Sequence, residues 1–251
     1  MKCLRLPTLV FWLSGFLFAQ NITDNRNHTF KSFSSVKKAV YEITEDHKTF
    51  YCNCTYDSKK QIDLESCGYK PRKNIKRAAR VEIEHVVPAE KLCGNTREWK
   101  QGNPACIDSR GKPYKGRRCA SEHNEVCKMA YNDLHNLRPA IGELNNDRSN
   151  YPFREIPGKK SVYGKCTFII ENNMADPPDN VQGDIARIYL HMNDAYPELK
   201  ILNPEETSMY NKWSGEDAVT IQECAKNKKI HALQGNYNLV ILRECKKLDS
   251  P

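Results

Sequence analysis

Cysteine limits what this chain can become more than any other residue type. Eleven are present in 251 residues, and Cys3 falls in a leader-like N-terminus. The other ten are Cys52, Cys54, Cys67, Cys93, Cys106, Cys119, Cys127, Cys166, Cys224 and Cys245, an even set. The segment MKCLRLPTLVFWLSGFLFAQ carries Lys2 and Arg5, then an apolar run from Leu6 to Ala19 broken only by Pro7, Thr8, Ser14 and Gly15. That run is too short for a stable membrane span and reads as a secretory signal over residues 1–19, cut after Ala19. An even cysteine count in an exported chain points to disulfides. Zinc is the rival use of thiols, but no CxxC pair occurs and the compartment is oxidising. Spacing alone does not say which cysteine pairs with which.

No second apolar stretch approaches a spanning length, no repeat or low-complexity segment occurs, and no linker divides residues 20–251, which are read as a single domain. The formal net charge is +8, and loss of Lys2 and Arg5 with the signal leaves +6. Six basic residues and no acid lie in KPRKNIKRAAR, Lys70 to Arg80, and RGKPYKGRR, Arg110 to Arg118, is a second such run. A basic run is often only a solvated face. Two acid-free runs bracketing a Glu-His pair favour a polyanion partner.

Apolar spacing predicts a helix over 33–43, capped by Ser32 or Ser34. TFYCNCTY reads as strand-like, and Val81 to Val87 alternates with period two as a strand. Residues 94–125, rich in Gly, Pro, Lys and Arg, read as a long loop pinned by cysteines. Val181, Ile185, Ile188, Tyr189 and Met192 form a helical stripe. Asn203-Pro204-Glu205-Glu206 is a helix start, and a last helix is expected from about Ala218 to Leu233, stopped by Gly235. Helices mixed with a few short strands and stapled loops define an α+β class.

Two stretches carry chemistry. RVEIEHVVPAEK places Glu84 directly before His85 at the end of a strand that Pro88 prevents from continuing. NDLHNLRPAIGELNNDRSNYPF keeps core-spaced leucines among many Asn residues, and Asn is a poor helix former that needs a reason to be there. Caps and turns explain Asn136 and Asn150 better than they explain Asn145. Neighbouring strand side chains point to opposite faces, so Glu84 and His85 share a site only where the strand ends or twists.

FYCNC, SCGYKPRKN, RAARVEIEHVVPA, DLHNLRPAIGELNNDRSN and QGNYN together resemble the endonuclease I family, exported nonspecific nucleases, in order across nearly the whole mature chain. The resemblance implies a ββα-metal (His-Me finger) core: a strand bearing the histidine, a second strand, and a helix giving a metal ligand. It makes His85 the general base, Glu84 and Asn145 the metal ligands, and Asn136 a structural residue holding the histidine loop. A loop arginine contacts the scissile phosphate, with Arg117 as the choice and Arg118 as the alternate. Cys93 and Cys127 look like a pair added to the family pattern. Oxygen ligands suit Mg²⁺, with Mn²⁺ or Ca²⁺ able to substitute in binding. The expected protein is a monomeric periplasmic or extracellular endonuclease, cutting DNA and RNA to 5′-phosphate products and needing no membrane.

His135 reads as a structural histidine. Arg148 reads either as a phosphate ligand or as a partner of Asp147 or Glu143. A disulfide-stapled polyanion-binding protein for DNA uptake or adhesion would use the same basic runs without needing Glu84, His85 and Asn145 together. A zinc hydrolase built on His85 and His135 lacks an HExxH helix.

Overall fold

Val36, Ala39, Val40 and Ile43 recur at helical spacing and form the buried face of α1 (Phe33–Ile43), whose cap is Ser32, accepting from the Ser35 N–H. The computed structural model describes residues 25–248, so the expected leader and its expected cleavage point lie outside the described residues. The chain continues through α2 (Ile75–Ala78), β1 (Val81–His85), α3 (Ala89–Cys93), α4 (Arg97–Lys100), α5 (Arg117–His123) and α6 (Glu125–Tyr131). Then come β2 (Leu137–Ile141), α7 (Gly142–Arg148), β3 (Ile169–Glu171), β4 (Met174–Asp176), α8 (Gln182–Ala195), α9 (Pro204–Glu216), α10 (Ile221–Gln234) and α11 (Leu239–Leu248). The strands form two small antiparallel pairs, β1 with β2 and β3 with β4, among the helices. The class is α+β, as the sequence indicates.

The β1–β2 pair lies between two helices of different character. In its register Val81 faces Ile141 and His85 faces Leu137. Ile83 and Leu137 join the apolar face of α1 in one buried cluster. The other face carries Glu82 and Glu84 toward α7, which follows β2 without a loop. Gly142 permits that approach, since a Cβ there would lie 3.1 Å from the Arg80 carbonyl oxygen just before β1, and 2.6 Å from the Arg77 carbonyl oxygen of α2. A second and larger core gathers aromatic side chains, including Tyr51, Phe153, Phe168, Tyr189, Tyr210 and Trp213. Tyr189 of α8 stacks on Tyr210 of α9 at 4.4 Å. The Asn203 start of α9 is a complete capping box with Glu206.

Several local expectations change. TFYCNCTY is not a strand but a turn with isolated bridges, because Asn53 adopts φ 61° and breaks the extended run. Cys52 and Cys54 on either side of it diverge to Cys166 and Cys67. The 94–125 stretch holds α4 and α5, the first capped by Thr96 and the second carrying Cys119, which is bridged to Cys106. Strand β1 stops at His85 rather than Val87, since the Val86 and Val87 N–H groups turn to the carbonyl and side chain of Asn136. Helix α10 begins after a Thr220 capping box, ends at Gly235, and is followed by α11.

All ten cysteines among the described residues are paired, the remaining bridges being Cys93–Cys127 and Cys224–Cys245. Alkylation of the unreduced protein should therefore label no thiol among these ten. The Cys93→Ser/Cys127→Ser variant should lose about 2–4 kcal/mol of unfolding free energy in urea. A midpoint equal to wild type would show that this bridge does not constrain the fold.

Candidate active site

Strand alternation separates Glu84 from His85, and each is fixed by its own partners. Glu84 is buried; its Oε1 accepts from the Tyr51 hydroxyl at 2.8 Å and from Arg148 Nη1 at 3.0 Å. Burial pushes this carboxyl above its ordinary range, and the Arg148 charge pulls against that rise. Both donors use the same oxygen. Oε2 accepts no hydrogen bond from the described residues. Arg148 also donates to the carbonyls of His85 at 3.1 Å and Val86 at 2.8 Å, so one guanidinium holds both the carboxylate and the strand end.

On the opposite face the His85 ring stacks on Phe33 of α1, centroids 5.3 Å apart. Its Nε2 lies 2.9 Å from the Tyr131 carbonyl, which can only accept, so Nε2 carries the proton and Nδ1 the lone pair. That lone pair accepts from Arg117 Nη2 at 3.4 Å. Burial, reinforced by the Arg117 charge, pushes the imidazole down to about 3, and it is neutral at physiological pH. Arg117 is the first residue of α5; its Nε donates to the Tyr131 hydroxyl at 3.0 Å and its guanidinium lies over that ring. Arg118 turns instead to Glu122 at 3.1 Å.

Asn145 stands on α7, with Nδ2 donating to Glu82 Oε2 at 3.2 Å and Oδ1 uncommitted. Glu82 also takes Arg77 and Arg80. Burial opposes its charge, yet these two guanidiniums hold its carboxyl below the ordinary range. Glu84, His85, Arg117 and Asn145 all line one open groove of about 810 Å³. Asn136 has its expected structural role: its amide oxygen accepts from the Val87 N–H at 2.7 Å and its NH₂ donates to the Val87 carbonyl at 3.0 Å. Arg148 departs from both of its expected roles, since its ion pair is with Glu84 rather than Asp147 or Glu143. Arg72 takes Asp147 instead, and Glu143 accepts from the backbone N–H groups of Arg72, Lys73 and Asn74, anchoring the first basic run to α7.

Comparison with known proteins decides the family. A sequence model described as Endonuclease I matches residues 18–244. The chain belongs to the endonuclease I family. It is 38% identical over 222 residues to a periplasmic deoxyribonuclease of Aeromonas hydrophila, covering 86% of this chain and 87% of the relative. It is 35% identical over 250 residues to Endonuclease-1 of Buchnera aphidicola subsp. Baizongia pistaciae, covering 95% of each. An extracellular deoxyribonuclease of Aeromonas hydrophila is 37% identical over 223 residues, covering 86% of this chain and 91% of the relative.

In this endonuclease I chain the groove and the side chains behind it include groups that no motif of the sequence singles out. Glu82 lies two residues from Glu84 on the same strand face, and period-two alternation alone is enough to find it. Phe33, Tyr51 and Tyr131 come from distant segments and give no local signal. A second cluster, Asp133, His135 and His191, brings potential ligand atoms within 4.8 Å of one another in the interior. Asp133 is already satisfied by donors: Tyr196 hydroxyl at 2.7 Å, Gln234 Nε2 at 2.8 Å and the His135 N–H at 2.9 Å.

Burial, and then the neighbouring His191, pushes His135 from 6.5 down to about 3. The unfolded chain takes up this proton as pH falls through 6.5, whereas the folded protein refuses it until about 3. The contribution is therefore complete above 6.5 and drains away across that window. His135→Gln should flatten the pH dependence of the urea midpoint between about pH 6 and 4; an unchanged slope would assign it to other groups. Arg148→Met leaves Glu84 buried without its ion-pair partner and should lower stability by about 3–5 kcal/mol. A loss below about 1 kcal/mol, typical of an exposed pair, would show that the charge is not desolvated.

Proposed function

We propose that this chain is an exported, sequence-nonspecific endonuclease that hydrolyses phosphodiester bonds of DNA and RNA with a divalent cation, Mg²⁺, leaving 5′-phosphates. The observation that carries the reading is the unprotonated Nδ1 of His85, held against Arg117 in the groove that also holds the uncommitted oxygens of Glu84 and Asn145. Only oxygen donors are offered by Glu84 Oε2 and Asn145 Oδ1, a set that fits a hard cation. These two residues would hold it, as the ligands of a ββα-metal core formed by β1, β2 and α7. When bound, the cation neutralises charge growing on the scissile phosphate and the leaving 3′-oxygen.

The chain's own residues do the rest. His85 Nδ1 takes a proton from the attacking water as the new P–O bond forms, while the Tyr131 carbonyl holds the opposite ring nitrogen and so fixes the tautomer. Arg117 donates to the phosphate oxygens and neutralises part of their charge. The P–O3′ bond breaks and the departing 3′-oxygen takes up a proton from solvent water, leaving a 3′-hydroxyl and the phosphate on the 5′ side of the downstream product. Because such contacts address the backbone and not base edges, they suit DNA and RNA alike.

Export is supported by the leader-like N-terminus, the five disulfides, and relatives named as periplasmic or extracellular. No helix among the described residues is long and apolar enough to cross a membrane. A purely binding protein would exploit the basic runs but leaves the oriented imidazole without a purpose. Plasmid DNA and a structured RNA should both be degraded with Mg²⁺ and both spared with EDTA. His85→Ala should slow cleavage by roughly 10²–10⁴ while retaining DNA binding. Undiminished cleavage in EDTA would remove the metal, and activity within about tenfold of wild type would remove His85 as the base.

A further inference from the structure

The site groove does not end at Arg117. Phe33 and Arg117 line it and also line a second open groove of about 570 Å³, so the two hollows meet at the His85–Arg117 pair. Lys31, Arg118, His123 and Lys128 lie along this second hollow. Arg118 is engaged with Glu122, but neither Lys31 nor Lys128 has an ion-pair partner among the described residues. The arginines of the Lys70–Arg80 run behave differently, since Arg72 is held by Asp147 and both Arg77 and Arg80 by Glu82. Its arginines are engaged within the fold, whereas these two lysines are free beside the site.

Their placement follows from the elements that build the site. Lys31 directly precedes the Ser32 cap of α1, two residues before the ring that stacks on His85. Lys128 is on α6, three residues before Tyr131, and residues so spaced share a helix face. Tyr131 in turn holds His85 through its carbonyl and Arg117 through its hydroxyl. Both lysines are therefore tied to the two helices that position the imidazole.

We propose that the second groove is a subsite for the cleaved strand itself, in which Lys31 and Lys128 bind phosphates flanking the scissile one on the far side of Arg117. The proposal rests on the nuclease reading of the first groove. A polyanionic strand seated at Arg117 can run on past it into this hollow, where the one lining carboxylate, Glu122, is paired with Arg118, and unpaired lysines bind successive phosphates whatever the sequence.

The test compares Lys31→Ala/Lys128→Ala with Lys59→Ala/Lys160→Ala, a control that removes equal charge from exposed positions outside both grooves. With bis(p-nitrophenyl) phosphate, which has no flanking phosphates, both variants should keep kcat/KM within about twofold of wild type. On single-stranded oligonucleotides of two to twelve residues, kcat/KM should rise with length in wild type and control. The Lys31/Lys128 variant should lose about tenfold on the longest. In a His85→Ala background, its log–log salt slope for dT12 binding should shrink by about 0.7 for each phosphate left without its lysine. A length dependence and salt slope equal to the control's would overturn the subsite. So would equal loss on the small diester, which would mean that the lysines act on the chemistry through the fold. If wild type cleaves nothing, the nuclease reading has failed, and the salt slopes still decide whether the groove binds a strand.

Discussion

One buried guanidinium holds the site together. Arg148 has no exposed side-chain surface, lies over the Phe153 ring at 4.4 Å, and binds Glu84 together with the carbonyls of His85 and Val86. A desolvated ion pair of this kind adds little net stability over an apolar substitute, but it is intolerant of losing one partner. Its value here is geometric. It ties the last residue of α7 to the last residues of β1, and so sets the distance between the helix bearing Asn145 and the strand bearing Glu84. Gly142 at the other end of α7 lets the same helix approach the strand closely.

The ending of β1 resolves a conflict between strand geometry and the need for a shared site. Within a ladder the carboxylate and the imidazole would serve opposite faces. Here the ladder stops at His85, Asn136 captures the Val87 backbone, and the groove curls round the strand end to reach both side chains. The two faces keep different surroundings. Glu84 is fixed by the polar partners Tyr51 and Arg148, while His85 lies against Phe33 and Tyr131, where burial keeps it neutral.

What can be read from the chain follows the range of the interactions involved. Helix α1, the Asn203 cap of α9 and the Gly235 stop of α10 are local, and their signals lie within a few residues of the elements they define. Asn145 stands out because it contradicts helix propensity, and contradictions of that kind concentrate at functional positions. Arg148 is conspicuous in the sequence, but its neighbours Asp147 and Glu143 suggest the wrong partner, since the true one is 64 positions away. Tyr51 and Tyr131 are illegible for the same reason. Disulfide pairing is closed to sequence as well, since Cys52 and Cys54 leave for partners 114 and 13 positions distant. Composition is also silent on which cations of the first basic run are engaged: three of its six, Arg72, Arg77 and Arg80, are paired with Asp147 and Glu82.

The dependence on disulfides reaches the chemistry through helix length. Arg117 and the Tyr131 carbonyl belong to α5 and α6, each of seven residues. Helices this short do not hold themselves together in water, because nucleation is unfavourable and few hydrogen bonds follow it. Both are covalently held: Cys119 of α5 to Cys106, and Cys127 of α6 to Cys93 at the end of α3. Arg117 is thus two residues from one bridge, and the carbonyl that sets the histidine tautomer is four residues from another. Cysteines that limit the chain's folding options therefore also hold its His85–Arg117 pair in register, which makes the geometry of the site a property of the oxidised protein.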